Sequence, residues 1–284
     1  MKNKPDAALP AQKIKQNVKN SLDEDIGSGD LTAMLLPENS IARALVITRQ
    51  SGVLCGTEWF DECFLMLDKN CKITWHAKDG DRIKPSQTLC EIEGNARAML
   101  SAERNALNFL QTLSGTATAT RRYVDQVAGT RAKIMDTRKT LPGLRDAQKY
   151  AVRMGGGHNQ RMGLYDGILI KENHIAAAGG IKAVLEMAFR IAPDKTSVQI
   201  EVENMVELEE ALSSGAKLIL LDNFDIDMLA AAVKHTAGRA ELEASGGITL
   251  PGIRKVAETG VDRISIGALT KDVEALDLSM RIVK

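Results

Sequence analysis

Four cations, Arg138, Lys139, Arg161 and Lys171, fall in one short stretch that also holds Gly155-Gly156-Gly157. Each stands where a short apolar run or a glycine turn releases the chain. Cations gathered in this way suit a small anion carrying more than one charge. A polyanion is a poor match, because the chain has 37 Lys and Arg against 37 Asp and Glu. With no net charge there is no long-range field to draw in a nucleic acid or an anionic membrane, and any positive potential must be local.

Glu203 and Asp222 end two neighbouring apolar runs. A hard cation such as magnesium, bound together with substrate phosphates, needs only one or two carboxylates, directly or through water. The same pair could instead neutralise Lys139 or Lys171. Ser245-Gly246-Gly247 and Ile266-Gly267-Ala268 close two further runs. Glycine there lets backbone N–H groups approach an anion, and a following helix would add its N-terminal dipole. Together these turns predict a phosphate site.

Arg104 falls on a helical stripe with Ala96, Leu100, Leu107 and Gln111. A charge on a buried face is costly unless paired. It must therefore meet an internal carboxylate or cover a neighbour's anionic site. No Ser/His/Asp arrangement stands out, and His76, His158, His174 and His235 are scattered. That directs attention to chemistry run by positioning and electrostatics. Cys55, Cys63, Cys71 and Cys90 contain no Cys-x-x-Cys pair, so they read as reduced, buried thiols of a cytoplasmic protein.

The elements that must position these residues change character along the chain. Ala44–Thr48, Cys71–His76 and Thr88–Glu93 alternate and are separated by turn residues, which predicts a small antiparallel sheet with a helix at Glu58–Leu67. A helical pattern then runs from Asn95 to Val127, interrupted at Gly115. Beyond it, runs at Lys133–Thr137, Gly167–Lys171, Ser197–Glu203, Lys217–Asp222, Ala240–Ser245 and Asp262–Gly267 alternate with helical segments. These are βα units with a parallel sheet. Gln199, Glu201 and Glu203 share one strand face, and Glu241, Glu243 and Ser245 share another. Polar faces fit a barrel lumen better than the underside of a helix layer, and strand carboxyl ends then carry the site. The fold class is α/β: an N-terminal α/β domain (1–115), then an open parallel barrel of about six strands (116–284) whose last helix returns to the first domain. No apolar run is long enough to span a membrane, and Met1–Asp6 lacks an apolar leader.

The chain resembles the quinolinate phosphoribosyltransferases. The resemblance runs from Asp25-Ile26-Gly27-Ser28-Gly29-Asp30-Leu31-Thr32 through Ser101–Asn105, Asp136–Leu141, Gly155–Arg161 and Leu169–His174. It continues through Glu201–Glu203, Leu220–Phe224, Glu243–Ile248 and Ile264–Thr270. It implies phosphoribosyl transfer from 5-phosphoribosyl 1-diphosphate to quinolinate with decarboxylation, using magnesium. It also implies a homodimer or higher oligomer with shared active sites, in which the helix carrying Arg104 packs at the interface. Quinolinate would be held by Arg104, Thr137, Arg138, Lys139, Gln160, Arg161 and Lys171. The diphosphate substrate would lie on Glu201, Glu203, Asp222, Ser245, Gly246, Gly247, Ile266, Gly267 and Ala268. Lys139, Lys171, Glu203 and Asp222 would be catalytic, and Glu203 and Asp222 would meet magnesium. One position departs from the family pattern: Gln160 stands where a histidine is expected, and His158 fills the variable place beside it.

Two rival readings remain: a sugar-phosphate isomerase or aldolase using Lys139 or Lys171 as a Schiff base, and a non-catalytic relative keeping only the barrel. The number of cations argues against the first, and the intact charged set against the second.

Overall fold

The computed structural model of the chain describes residues 11–283; the Met1–Asp6 start lies outside them. The chain forms two compact units. The first comprises the chain up to Ala119, Leu141–Gly156 and the chain from Asp272; the second comprises Thr120–Thr140 and Gly157–Lys271.

The first unit opens with α1 (Ala11–Ile26), whose Ile14, Val18 and Leu22 are buried at four-residue spacing and dock one helix face on the core. There follow β1 (Ile41–Thr48), β2 (Gly52–Val53), α2 (Thr57–Leu67), β3 (Lys72–Trp75), β4 (Arg82–Ile83) and β5 (Thr88–Asn95). β1 and β3 flank β5 in antiparallel pairing. Trp59, Phe60 and Phe64 of α2 fill the core, with Phe60 edge-on to Trp75 at 5.3 Å between ring centroids.

The helix α3 (Ala96–Gln126) is 31 residues long and unbroken. The interruption expected at Gly115 does not occur, and a boundary at 115 falls inside the helix. Glycine stands there for space: a Cβ at 115 would lie 2.1 Å from the carbonyl oxygen of Glu274.

The second unit begins its sheet with β6 (Lys133–Met135). The next helix, α4 (Arg145–Met154), belongs to the first unit, where Ala147 and Ala151 are buried and Tyr150 stacks obliquely on Trp59 at 5.7 Å. Then come β7 (Gly167–Ile170), α5 (Glu172–Ala178), α6 (Ile181–Ile191), β8 (Ser197–Val202), α7 (Met205–Ser213) and β9 (Leu218–Asp222). After these lie α8 (Ile226–Thr236), β10 (Glu241–Ser245), α9 (Ile253–Glu258), β11 (Arg263–Ser265), α10 (Ala268–Lys271) and β12 (Leu278–Val283). The helical segment after β7 is cut in two at Gly179-Gly180, where both φ angles are positive.

The parallel strands run in the order β6-β11-β10-β9-β8-β7. The last barrel strand therefore pairs with the first, as closure requires, while β6 and β7 leave an opening between them. His158 makes a single parallel bridge to Met135 on the free edge of β6. The α/β fold with an open six-stranded barrel matches the reading of the polar strand faces.

The returning C-terminal segment is a strand, not the helix expected. β12 lies antiparallel to β1, from Arg43↔Val283 to Thr48↔Leu278. Its sequence explains this: Leu278, Met280 and Ile282 alternate with Ser279, Arg281 and Val283, a period of two.

Candidate active site

In the second unit a cavity of about 320 Å³ opens at the carboxyl ends of the strands. Thr137, Arg138, Lys139, Gln160, Arg161, Leu169, Lys171, Glu201, Leu220, Asp222, Glu243, Ser245 and Ser265 line it. All four cations of the opening stretch thus converge, although they arrive on three different segments. Thr137, Arg138 and Lys139 follow β6, and a backbone bond from Lys139 N–H to Thr137 Oγ1 (3.1 Å) folds that turn. The hydroxyl of Thr270 donates to the Lys139 carbonyl at 2.7 Å, fixing the same turn from below.

Gln160 and Arg161 are brought in by Asp136. This buried carboxylate ends β6 and accepts from Gln160 N–H (2.8 Å) and Asn159 Nδ2 (2.5 Å). Arg161 donates from Nη1 to the Gly167 carbonyl at 2.9 Å. Burial, then the nearby Arg138 guanidinium, presses its pKa down, while Asp166 acts the other way. Like charges gathered at one cavity favour an anion there.

Lys171 leads into α5. Its backbone N–H donates to His174 Nδ1 at 3.0 Å, and its Nζ meets both oxygens of Glu201 at 2.8 and 3.0 Å. Glu201, Gln199 and Glu243 occupy the polar faces of β8 and β10 that pointed to a lumen. Glu243 is fully buried and accepts from Gln160 Nε2 at 2.5 Å on each oxygen, from Gln199 Nε2 at 3.0 Å, and from Ser265 Oγ. Glu243 was not singled out as a site residue from sequence; the period-two alternation of Glu241, Glu243 and Ser245 was its signal. Glu241, one pleat lower, pairs with Arg263 at the far rim.

Several expected site residues behave differently. Glu203 lies one residue beyond β8, exposed, with its N–H donating to Glu207 Oε2 at 2.8 Å, and it does not line the cavity. Asp222 does. Ser245 lines the cavity, and Gly246 and Gly247 both have positive φ, the conformation a tight anion-binding turn requires. The helix after them, α9, starts only at Ile253, so it does not follow directly on that turn. Gly267 is a close-approach position: a Cβ there would lie 3.1 Å from Lys139 Cδ. Ile266 is buried and donates its N–H to the Met135 carbonyl at 3.0 Å, and Ala268 begins the four-residue α10.

His158 does not stand in for the expected histidine at 160. Its pKa is lowered by burial and then by Lys133 and Arg263, which start β6 and β11 at the opposite end of the barrel. Gln160 does not offer a spare donor either, since its amide protons face Glu243 and Gln199.

Arg104 sits on the solvent side of α3. The buried stripe is Ala102, Ala106, Leu110, Leu113 and Ala117, so the reading of Arg104 on a buried face is corrected. It makes no ion pair or hydrogen bond among the described residues. Likewise, among those residues no three His, Cys, Asp or Glu form a group able to hold a metal.

Comparison with known proteins places these features. Residues 30–114 match the family described as quinolinate phosphoribosyl transferase, N-terminal domain, and residues 116–281 match its C-terminal domain. A probable nicotinate-nucleotide pyrophosphorylase (carboxylating) of Bacillus subtilis is 43% identical over 91% of this chain and 90% of its own. The Mycobacterium leprae protein of that name is 40% identical over 94% and 96%. The solved nicotinate-nucleotide pyrophosphorylase of Francisella tularensis superposes with a TM-score of 0.94, at 43% identity, over 97% of this chain and 98% of its own.

Proposed function

The chain belongs to the quinolinate phosphoribosyltransferase family, and on that premise we propose how its own residues divide the reaction. The enzyme transfers the phosphoribosyl group of 5-phosphoribosyl 1-diphosphate to quinolinate with decarboxylation, in NAD biosynthesis. The observation that carries the division is the convergence of Arg138, Lys139, Arg161 and Lys171 on one cavity floored by Glu243.

Quinolinate's two adjacent carboxylates lie against those four cations, with Thr137 beside them. Asp222, Ser245, Gly246, Gly247 and the Ile266–Ala268 turn take the diphosphate substrate, and Glu201 holds Lys171 until the dianion arrives. The bond from ribose C1′ to diphosphate breaks with its electron pair leaving on diphosphate, so positive charge grows at C1′. The pyridine nitrogen then forms the new bond and becomes cationic. That charge lets the neighbouring carboxylate leave as carbon dioxide, its bonding pair staying on the ring carbon, which takes up a proton. The cations do not react; they hold the dianion in line.

Magnesium, when bound, neutralises the departing diphosphate. Asp222 and, through water, Glu203 would hold that ion, with phosphate oxygens and water as its other ligands. An exposed Arg104 that makes no ion pair or hydrogen bond among the described residues supports a homodimer in which it completes the partner's site. Leu31, Met34 and Leu35 are large apolar side chains left exposed on the same unit, a surface a second copy could cover. No described helix is long and apolar enough to cross a membrane, and the four free thiols fit the reducing cytoplasm.

The test is substrate choice. Nicotinate has one carboxylate where quinolinate has two, and would lose charge-assisted hydrogen bonds to the cations lining the cavity, about 1.5–3 kcal/mol. Discrimination of at least about tenfold in kcat/KM follows. Equal turnover of both acids would overturn the assignment of the cation cluster.

A further inference from the structure

Asn223 follows the cavity carboxylate Asp222, and its φ is 57°, in the left-handed region. Asparagine tolerates that conformation better than most residues, yet it still costs free energy that the surroundings must offset. Three contacts surround it. Its backbone N–H donates to the Ser245 carbonyl at 3.0 Å. Its Nδ2 donates to Asp222 Oδ2 at 2.8 Å. Its Oδ1 fills the space over Gly246, where a Cβ would come within 2.1 Å of it. One side chain therefore touches both the carboxylate that ends β9 and the first glycine of the turn after β10. The absence of a side chain at 246 is what makes room for it.

We propose that Asn223 is a positioning residue that locks the Asp222 carboxylate to the Ser245–Gly247 turn, so that both meet 5-phosphoribosyl 1-diphosphate as one preformed surface. The inference rests on the reading of Asp222 and residues 245–247 as the subsite for that substrate. With Oδ2 held by Asn223, Asp222 cannot swing without losing a charge-assisted bond, and Oδ1 has no partner among the described residues. The left-handed backbone turns the asparagine side chain back onto the preceding carboxylate; an extended residue there would point it elsewhere. A bond that serves only to close the turn would stabilise the fold without favouring one substrate over the other.

Two substitutions separate these roles. Asn223→Gly keeps the left-handed backbone and removes the side chain. Asn223→Asp keeps the shape and sets a carboxylate against Asp222. The expected result is a KM for 5-phosphoribosyl 1-diphosphate raised about tenfold in the first, the worth of one hydrogen bond to a charged group. The second should raise it further, and in both the quinolinate KM should stay within about twofold, since that substrate's cations are untouched. Thermal melting of each variant and an Asp222→Asn control accompany the kinetics. If Asp222→Asn raises the diphosphate-substrate KM while both Asn223 variants leave it unchanged, the positioning role is wrong and the subsite stands. If the KM values of both substrates rise together in the Asn223 variants, the residue is only structural, which also overturns the proposal. If Asp222→Asn itself has no effect on that KM, the subsite reading fails and this inference falls with it.

Discussion

Gln160 and Glu243 are locked together: one amide nitrogen lies 2.5 Å from both oxygens of a fully buried carboxylate. The contact fixes which way the amide faces, because only its nitrogen can donate to the carboxylate oxygens. Where the resemblance leads to the expectation of a histidine at 160, an amide is bonded to this carboxylate instead. The side chain at that position serves the floor of the cavity, and a neutral donor does so at any pH.

Removing that donor should be costly. Gln160→Leu leaves Glu243 with Gln199 and Ser265 alone, and should lower unfolding free energy by about 2–4 kcal/mol. Gln160→His should add a pH dependence that the parent's neutral amide at this position does not supply. The carboxylate raises the folded pKa of the new imidazole above its unfolded value. The added stability is then full below the unfolded value of about 6.5 and fades as pH rises through the folded one. Urea unfolding from pH 5 to 9 reads both effects, and a constant difference between Gln160→His and the parent would refute the second.

Arg104→Ala should fold and melt like the parent, since Arg104 is exposed and unpaired among the described residues, but lose at least about a hundredfold in kcat/KM. Mixing it with the inactive Lys139→Ala protein should restore part of the activity, because one hybrid site then holds both native residues. No recovery in a mixture with verified subunit exchange would place Arg104 at its own chain's site.

Asp61, in the first unit, predicts a pH-dependent stability. Burial raises its pKa to about 6, against a lowering bond from Trp75 Nε1, with Asp79 and Glu58 adding to the rise. A folded pKa above the unfolded 3.8 means that its contribution is full below pH 3.8 and is lost as pH climbs through 6. Asp61→Asn keeps an acceptor for Trp75 and should gain about 1–2 kcal/mol over the parent between pH 4 and 7, allowing for partial screening by water. Denaturant midpoints at the two pH values check the sign.

Gly115→Ala should cost about 3 kcal/mol or more, since the new methyl group meets a backbone oxygen that no rotamer change can move. A melting temperature within about a degree of the parent would show that the Glu274 segment yields easily.

Much of this architecture was legible in the residues themselves. Short runs of about five to seven residues between helical segments give the strands, and the polar alternation of Gln199-x-Glu201 and Glu241-x-Glu243-x-Ser245 gives the lumen. The cations after β6 and β7 were visible because strand ends are where a parallel barrel places its chemistry. What escaped had weaker or misleading local signals. Arg104 lies between Leu100 and Leu107, but Ala102, Ala106 and Leu110 form a competing stripe that small alanines make less conspicuous. α1 carried a clear four-residue period in Ile14, Val18 and Leu22 that went unread. Asn223 shows nothing in sequence that announces a left-handed backbone tied to a distant glycine. That relation exists only once β9 and β10 lie side by side.

The pairing of β12 with β1 has a consequence for how the protein is made. β1 emerges early in synthesis, but its partner strand is translated only after all six barrel strands. Until then one edge of β1 has no ladder partner, and its Ala44 and Val46 belong to a strand open to pairing with other chains. The barrel strands β7 to β11 each find a neighbour soon after they appear, so the second unit can organise first. The first unit is thus the kinetic bottleneck, and truncation or a bulky fusion near Leu278 would be felt as aggregation during expression rather than as a defect in catalysis.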